Sequence, residues 1–202
     1  MARGRLQPTF AKEGENRRTR VLSALFGLIC ERGYSRTTLA DLAAAAGMSP
    51  SHLLYYFDSK DAVLVELFEL CATKMREDVE SLPGETSAAR LNALADYFFG
   101  GKVMTRRDQS FMLELFGLAT HDERLRRIKA GFDRRLKGWL ADVFRSARRP
   151  SRVSAEDAAE IALATLVGLF TSAYFDERLE TAHGRTLFRA VLTDLAGSGA
   201  RK

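Results

Sequence analysis

Ser49, Ser51, His52, Tyr55 and Tyr56 stand close together in a chain of 202 residues, and they concentrate hydroxyl and imidazole groups in one short stretch. Such groups donate to and accept from base edges and phosphates alike. Leu53 and Phe57, four apart, share the opposite helical face and are expected to pack inward. A face this polar and aromatic calls for a partner, the alternative being that Tyr55 and Tyr56 finish packing against neighbouring helices. Catalytic groups are scarce elsewhere. Cys30 and Cys71 lie on apolar helix faces and read as core thiols. His52, His121 and His183 have no ligand spacing, and the His121-Asp122-Glu123 run reads as a helix start because adjacent helical residues do not face each other. No nucleophile elbow, phosphate loop or dinucleotide fingerprint occurs. The expectation is a non-enzyme with no cofactor and no metal.

The elements that must present these groups are marked by capping chemistry. Thr38 followed by Asp41 fits a capping box, and Leu39, Leu42, Ala43 and Ala46 follow at helical spacing until Gly47. Ser49 then caps a second helix with Pro50 at its first position, where a missing N–H costs nothing. A turn of about three residues between two short helices is helix-turn-helix grammar, in which the second helix enters the DNA major groove.

The run GMSPSHLLYYFDSKDAV, preceded by RGYSRTTLADLAAAAG, resembles the DNA-binding domain of the tetracycline-repressor (TetR) family of one-component bacterial regulators, over about Arg17 to Glu69. The resemblance implies phosphate contact at Thr38, base or phosphate contact at Ser49, Pro50, Ser51 and His52, an aromatic contact pair at Tyr55 and Tyr56, and a phosphate-binding lysine at Lys60. Leu54 stands where many members carry a DNA-contacting tyrosine, and Ala40 where some carry a longer polar side chain. An apolar Leu54 can still meet a thymine methyl.

Composition agrees with a helical DNA-binding protein. The sequence is 46% apolar, has four prolines and shows no alternating strand pattern, so the expected fold is all-α, and the resemblance implies an N-terminal three-helix helix-turn-helix domain and a larger helical ligand-binding and dimerisation domain. Residues 1–60 carry nine Lys/Arg against five Asp/Glu, whereas residues 61–202 carry 22 against 21, so the basic excess sits at the proposed DNA-binding end. Residues 1–16 read as a flexible arm from which Arg3 and Arg5 can reach a minor groove, or as a tail without a role. Met1 to Lys12 has no apolar core, so no signal peptide is read and a cytoplasmic location is expected. The organisation read from the chain is 1–16 arm, 17–60 DNA-binding domain, 61–197 connector helix with the ligand-binding and dimerisation domain, and 198–202 tail.

Beyond a connector helix to about Ser81, five further helices are expected: Ala89 to Phe99, Asp108 to Thr120, Asp122 to Arg148, one opened by a Ser154–Asp157 capping box, and a last one carrying Leu187, Phe188, Val191, Leu192 and Leu195. Glu114 falls in the stripe of Phe111, Leu115 and Leu118 and needs a partner, either an internal arginine or a cationic group of a ligand. Ile161 to Phe175 holds 15 residues without charge, short of the roughly 20 that span a bilayer, so no membrane partner is expected. A helix apolar on most sides must be covered on most sides. The last helix covers part of it and a second subunit is the natural cover for the rest. The family resemblance implies the same assembly, a homodimer through 154–177 and 184–196.

The sequence therefore reads as a regulator of a double-stranded DNA operator, released by a small-molecule effector. Tyr97, Phe111, Glu114, Trp139 and Thr171 are candidate effector-lining residues, placed by the resemblance and by their chemistry. The alternatives are a protein-binding adaptor or an enzyme with an unread site on the same fold.

Overall fold

A computed structural model of the protein describes residues 17–101, 104–147, 153–176 and 178–197. The expected arm at 1–16, with Arg3 and Arg5, and the tail at 198–202 lie outside them. Among the described residues there are nine helices and no strand: α1 Arg17–Arg32, α2 Leu39–Ala45, α3 Pro50–Leu54, α4 Lys60–Glu80, α5 Ser87–Phe99, α6 Arg106–Ala119, α7 Glu123–Arg145, α8 Ala155–Phe175 and α9 Thr181–Leu195. They pack into two units. One comprises residues up to Lys74 together with Arg107–Lys129, the other Met75–Arg106 together with Ala130 onward. These packing units do not coincide with the 17–60 and 61–197 division, because α6 and the start of α7 pack with α1–α4.

In the first unit the helix ends follow local chemistry. α1 stops at Gly33, whose φ of 83° is open to a residue without Cβ and whose N–H donates to Ile29 O at 2.9 Å. At α2 both halves of the capping box form: Thr38 Oγ1 accepts from Asp41 N at 3.1 Å, and Asp41 Oδ2 accepts from Thr38 N at 2.9 Å. Gly47, with φ of 68°, closes the helix. Its N–H reaches Ala44 O and that of Met48 reaches Ala43 O, the paired bonds of a Schellman ending. Ser49 Oγ accepts from His52 N at 3.2 Å to open α3, and Ser59 Oγ accepts from Ala62 N at 3.1 Å at the start of α4. Leu25, Phe26, Leu42, Leu53, Leu67, Phe68, Phe111 and Leu115 form the core, all fully or almost fully buried. Phe26 and Phe111 meet with ring centroids 4.5 Å apart. Burying one such side chain contributes about 1.5–3 kcal/mol.

In the second unit α9 packs against both α5 and α8. Gly184 lets α9 approach Phe99 of α5: a Cβ there would stand 3.3 Å from the ring. Phe99 and Phe188 then meet at 5.7 Å. Asp96 of α5 accepts from Arg185 at 3.4 Å and Arg189 at 2.7 Å, joining the same two helices at the surface. Ser154 opens α8, accepting from Asp157 N at 3.0 Å and donating to its carboxylate at 2.8 Å.

The expected boundaries shift by a few residues at α6 and α7. Asp122, expected to begin α7, instead caps it, with Oδ1 accepting from Arg124 N at 2.8 Å and Leu125 N at 3.2 Å. The uncharged run of α8 is shorter than a membrane span, but the helix that holds it has 21 residues and a window of mean hydropathy 1.5, enough by length and composition alone to cross one. Core helices of water-soluble proteins meet the same criterion.

Candidate nucleic-acid interface

α3 is too short to be stable by itself, since an isolated helix needs about 12–15 residues even with good formers. Three things hold it. Leu53 and Phe57 anchor it in the core, fully buried and 3% exposed. The Ser49 cap satisfies its first turn. The third is Arg18 of α1, which donates from Nη1 to Tyr56 O at 2.7 Å, pairs through Nε and Nη2 with both oxygens of Glu66, and lies 4.3 Å from the centroid of Phe57. Glu66 raises the Arg18 pKa, chiefly through its hydrogen bond. A guanidinium fork of this kind fixes position as well as charge. Sequence reasoning passed over Arg18, because a bond spanning 38 or 48 positions leaves no local pattern.

Leu53 having turned inward, the opposite side of α3 is bare. Ser49, Pro50 and Ser51 are exposed, Leu54 is 46% and Tyr55 82% exposed. Tyr56 is half-buried, its ring edge-on to Tyr55 at 5.2 Å and 5.4 Å from the ring of His52. The packing alternative therefore applies partly to Tyr56 and not to Tyr55. His52 is half-buried and its Nε2 lies 2.9 Å from Nη1 of Arg17.

Two of the expected phosphate contacts are already engaged within the chain. Thr38 is exposed at the α2 N-terminus, but its hydroxyl donates to Asp41 Oδ2 at 2.6 Å. That bond is the main reason the Asp41 carboxyl is held below the usual range. Lys60 Nζ donates to Thr37 O at 2.6 Å and Tyr34 O at 3.1 Å, and sits 3.9 Å from the Tyr34 ring centroid. It thereby ties α4 to the α1–α2 connection, with one of the three ammonium N–H groups left over. Tyr34 is itself held by Asp61, to which its hydroxyl donates, and burial raises its pKa.

The five effector candidates do not gather in one unit. Phe111 is a core side chain of the first unit, fully buried against Phe26. Glu114 also belongs there. Its Oε1 accepts from Tyr34 N at 2.9 Å beside Gly33, so a backbone N–H takes the place expected for an arginine or a ligand cation. Tyr34 lies past the end of α1, so its N–H is outside the helical ladder and the carboxylate supplies its acceptor. The other three lie in the second unit. Tyr97 is 4% exposed with its hydroxyl donating to Asp78 at 3.1 Å, Thr171 is half-buried, and Trp139 is half-buried with a buried Nε1 that has no acceptor among the described residues. The Arg90 guanidinium lies 5.4 Å from the Trp139 ring.

Residues 21–67 match the family model described as bacterial regulatory proteins, tetR family, and residues 87–197 match that of the BetI-type transcriptional repressor C-terminal region. The chain belongs to the TetR family. Regulators of this family are DNA-binding transcription factors and not enzymes, and the BetI-type match makes this TetR protein a DNA-binding transcriptional repressor. It is 30% identical over 161 residues to the HTH-type transcriptional regulator BetI of Burkholderia thailandensis, covering 77% of this chain and 80% of that one. Its fold is similar to that of a transcriptional regulator from Rhodococcus sp. Rha1, with a TM-score of 0.79 and 19% identity over 91% of this chain and 99% of that one. It is also similar to a regulator from Saccharomonospora viridis in complex with choline, with a TM-score of 0.76 and 22% identity over 86% and 93% of the two chains. TetR-family regulators bind operator DNA, typically as dimers and with small-molecule effectors.

Proposed function

We propose that this repressor acts in the cytoplasm as a homodimer on a palindromic operator and leaves it when a small molecule binds the larger domain. The observation that carries the DNA part is the bare face of α3, with Ser49, Pro50, Ser51, His52, Tyr55 and Tyr56 available on a helix anchored from behind by Leu53, Phe57 and Arg18. Ser49, Ser51 and the remaining N–H of Lys60 serve phosphates, while His52 and Tyr55 serve base edges. Thr38 contributes through the cap that sets the start of α2, and its hydroxyl reaches a phosphate only by leaving Asp41.

Dimerisation through 154–177 and 184–196 is supported by an uncovered stripe on α8. Ile161, Ala164, Gly168, Ser172 and Phe175 recur at three- and four-residue spacing and all are exposed, Phe175 at 72%, with Leu187 of α9 exposed at 38%. Apolar and small side chains on one face suit close helix packing by a second copy, and two copies supply two half-sites. For the effector, a choline-type quaternary ammonium is the first class to test, since a structural neighbour holds choline and Trp139 already faces the Arg90 cation. Release then follows from the difference in effector affinity between the DNA-binding and free states.

Selection from a random DNA pool at two salt concentrations tests this reading. The expected product is a palindrome bound less tightly at higher salt, from which choline displaces the protein. Salt-insensitive capture of a protein with no DNA enriched would support the adaptor reading instead.

A further inference from the structure

Arg17, the first residue of α1, places Nη1 2.9 Å from Nε2 of His52. A guanidinium has no acceptor and stays protonated, so this contact exists only if Nε2 is the bare nitrogen. The neutral ring must then carry its proton on Nδ1, because the bond made at one nitrogen settles the state of the other. The ring also lies beside Tyr56, with centroids 5.4 Å apart, on the side chain's half-buried edge. Among the described residues nothing accepts from Nδ1. The side chain is thus left with one unused polar group, and that group is a donor.

We propose that Arg17 is a positioning residue for sequence reading: it locks His52 as the Nδ1–H tautomer, which makes His52 a hydrogen-bond donor that selects against cytosine. The inference rests on the reading of α3 as the recognition helix. In the major groove guanine and adenine offer N7, guanine also O6, and thymine O4 as acceptors, whereas cytosine offers an N4 donor that an N–H repels. Among the described residues Arg17 meets only His52, which leaves four further N–H groups to meet phosphate. Its removal therefore has two separable effects, a uniform loss across all sequences and a loss of discrimination at the base pair that His52 reads.

Long-range proton–nitrogen correlation spectra of the full-length protein with 15N-labelled histidine test the tautomer, with His52 assigned by the signals missing in His52→Ala. Wild type is expected to show a protonated Nδ1 and bare Nε2, Arg17→Ala to move towards the Nε2–H form, and Arg17→Lys, which keeps a cationic donor, to recover part of the wild-type pattern. Selection from random DNA with the same proteins should show Arg17→Ala and His52→Ala losing discrimination against cytosine at one shared position, by about three- to ten-fold, the size of one hydrogen bond. An Nε2–H ring in the wild type, an unchanged preference in Arg17→Ala, or a preference for cytosine at that position overturns the proposal. Failure of the wild type to enrich any sequence overturns the recognition-helix reading itself, and the spectrum of the free protein tells the two failures apart.

Discussion

α3 and α8 are held in opposite ways. α3 has five residues, and its position depends on a cap, two buried side chains and a guanidinium fork from another helix. α8 has 21 residues, a capped start and an apolar surface that α9 covers only in part. The first is specified by directed polar bonds, the second by area. Directed bonds leave the outer face of α3 free to be polar and to vary without loss of the fold. Area leaves α8 with an exposed apolar stripe. One helix exposes hydrogen-bonding groups and the other apolar and small side chains.

The comparison can be tested by substitution, beginning with the cores on which both regions depend. Phe26→Ala in the first unit and Phe188→Ala in the second should each cost about 3–5 kcal/mol in denaturant unfolding, since each removes a fully buried ring from an aromatic pair. Equal losses in both would show that the units differ in how their edges are held and not in how their cores are filled. Arg18→Ala should cost less, about 1–2 kcal/mol, because its charge-assisted bonds are partly exposed. It should also lower affinity for every DNA sequence, measured by titration, as α3 loses its support; unchanged affinity would mean that Leu53 and Phe57 alone position the helix.

Ser49→Ala and Ser154→Ala remove one N-cap from each helix, at about 1 kcal/mol apiece in thermal unfolding. The energies should match while the consequences diverge: the five-residue helix loses DNA binding, and the 21-residue helix keeps its assembly state by sedimentation. Loss of dimers in Ser154→Ala would show that α8 depends on its cap as α3 does. The smallest effect is expected in acid. The Asp41 carboxyl is held below its ordinary range by Thr38, so its contribution is present above that range and fades as pH falls through the lowered value. Thr38→Ala should flatten that part of the stability–pH curve, and an unchanged curve would assign acid sensitivity to other carboxylates.

Much of the fold was legible because helix ends are local chemistry. Thr38 with Asp41, Gly47, Ser49 with Pro50, and Ser154 with Asp157 each act over a few residues, so their types and spacing suffice. The apolar stripe of Leu53 and Phe57 was equally plain, as helical periodicity alone assigns the buried face. The candidate effector site was not legible in the same way. Phe111 and Glu114 have the side chains of a pocket, yet the first fills a core and the second satisfies Tyr34 N, and neither outcome has a trace in nearby residues.

By itself the sequence determined which segments are helices, where most of them start and stop, and which face of α3 stays outside. Only the tertiary structure decided what the long polar side chains do. Arg17, Arg18 and Lys60 all belong to the basic excess of residues 1–60, but one meets His52, one grips Glu66 and the Tyr56 carbonyl, and one closes the α1–α2 connection. A cap satisfies a backbone group of its own turn, whereas a flexible charged side chain takes whichever partner the packed helices bring within reach.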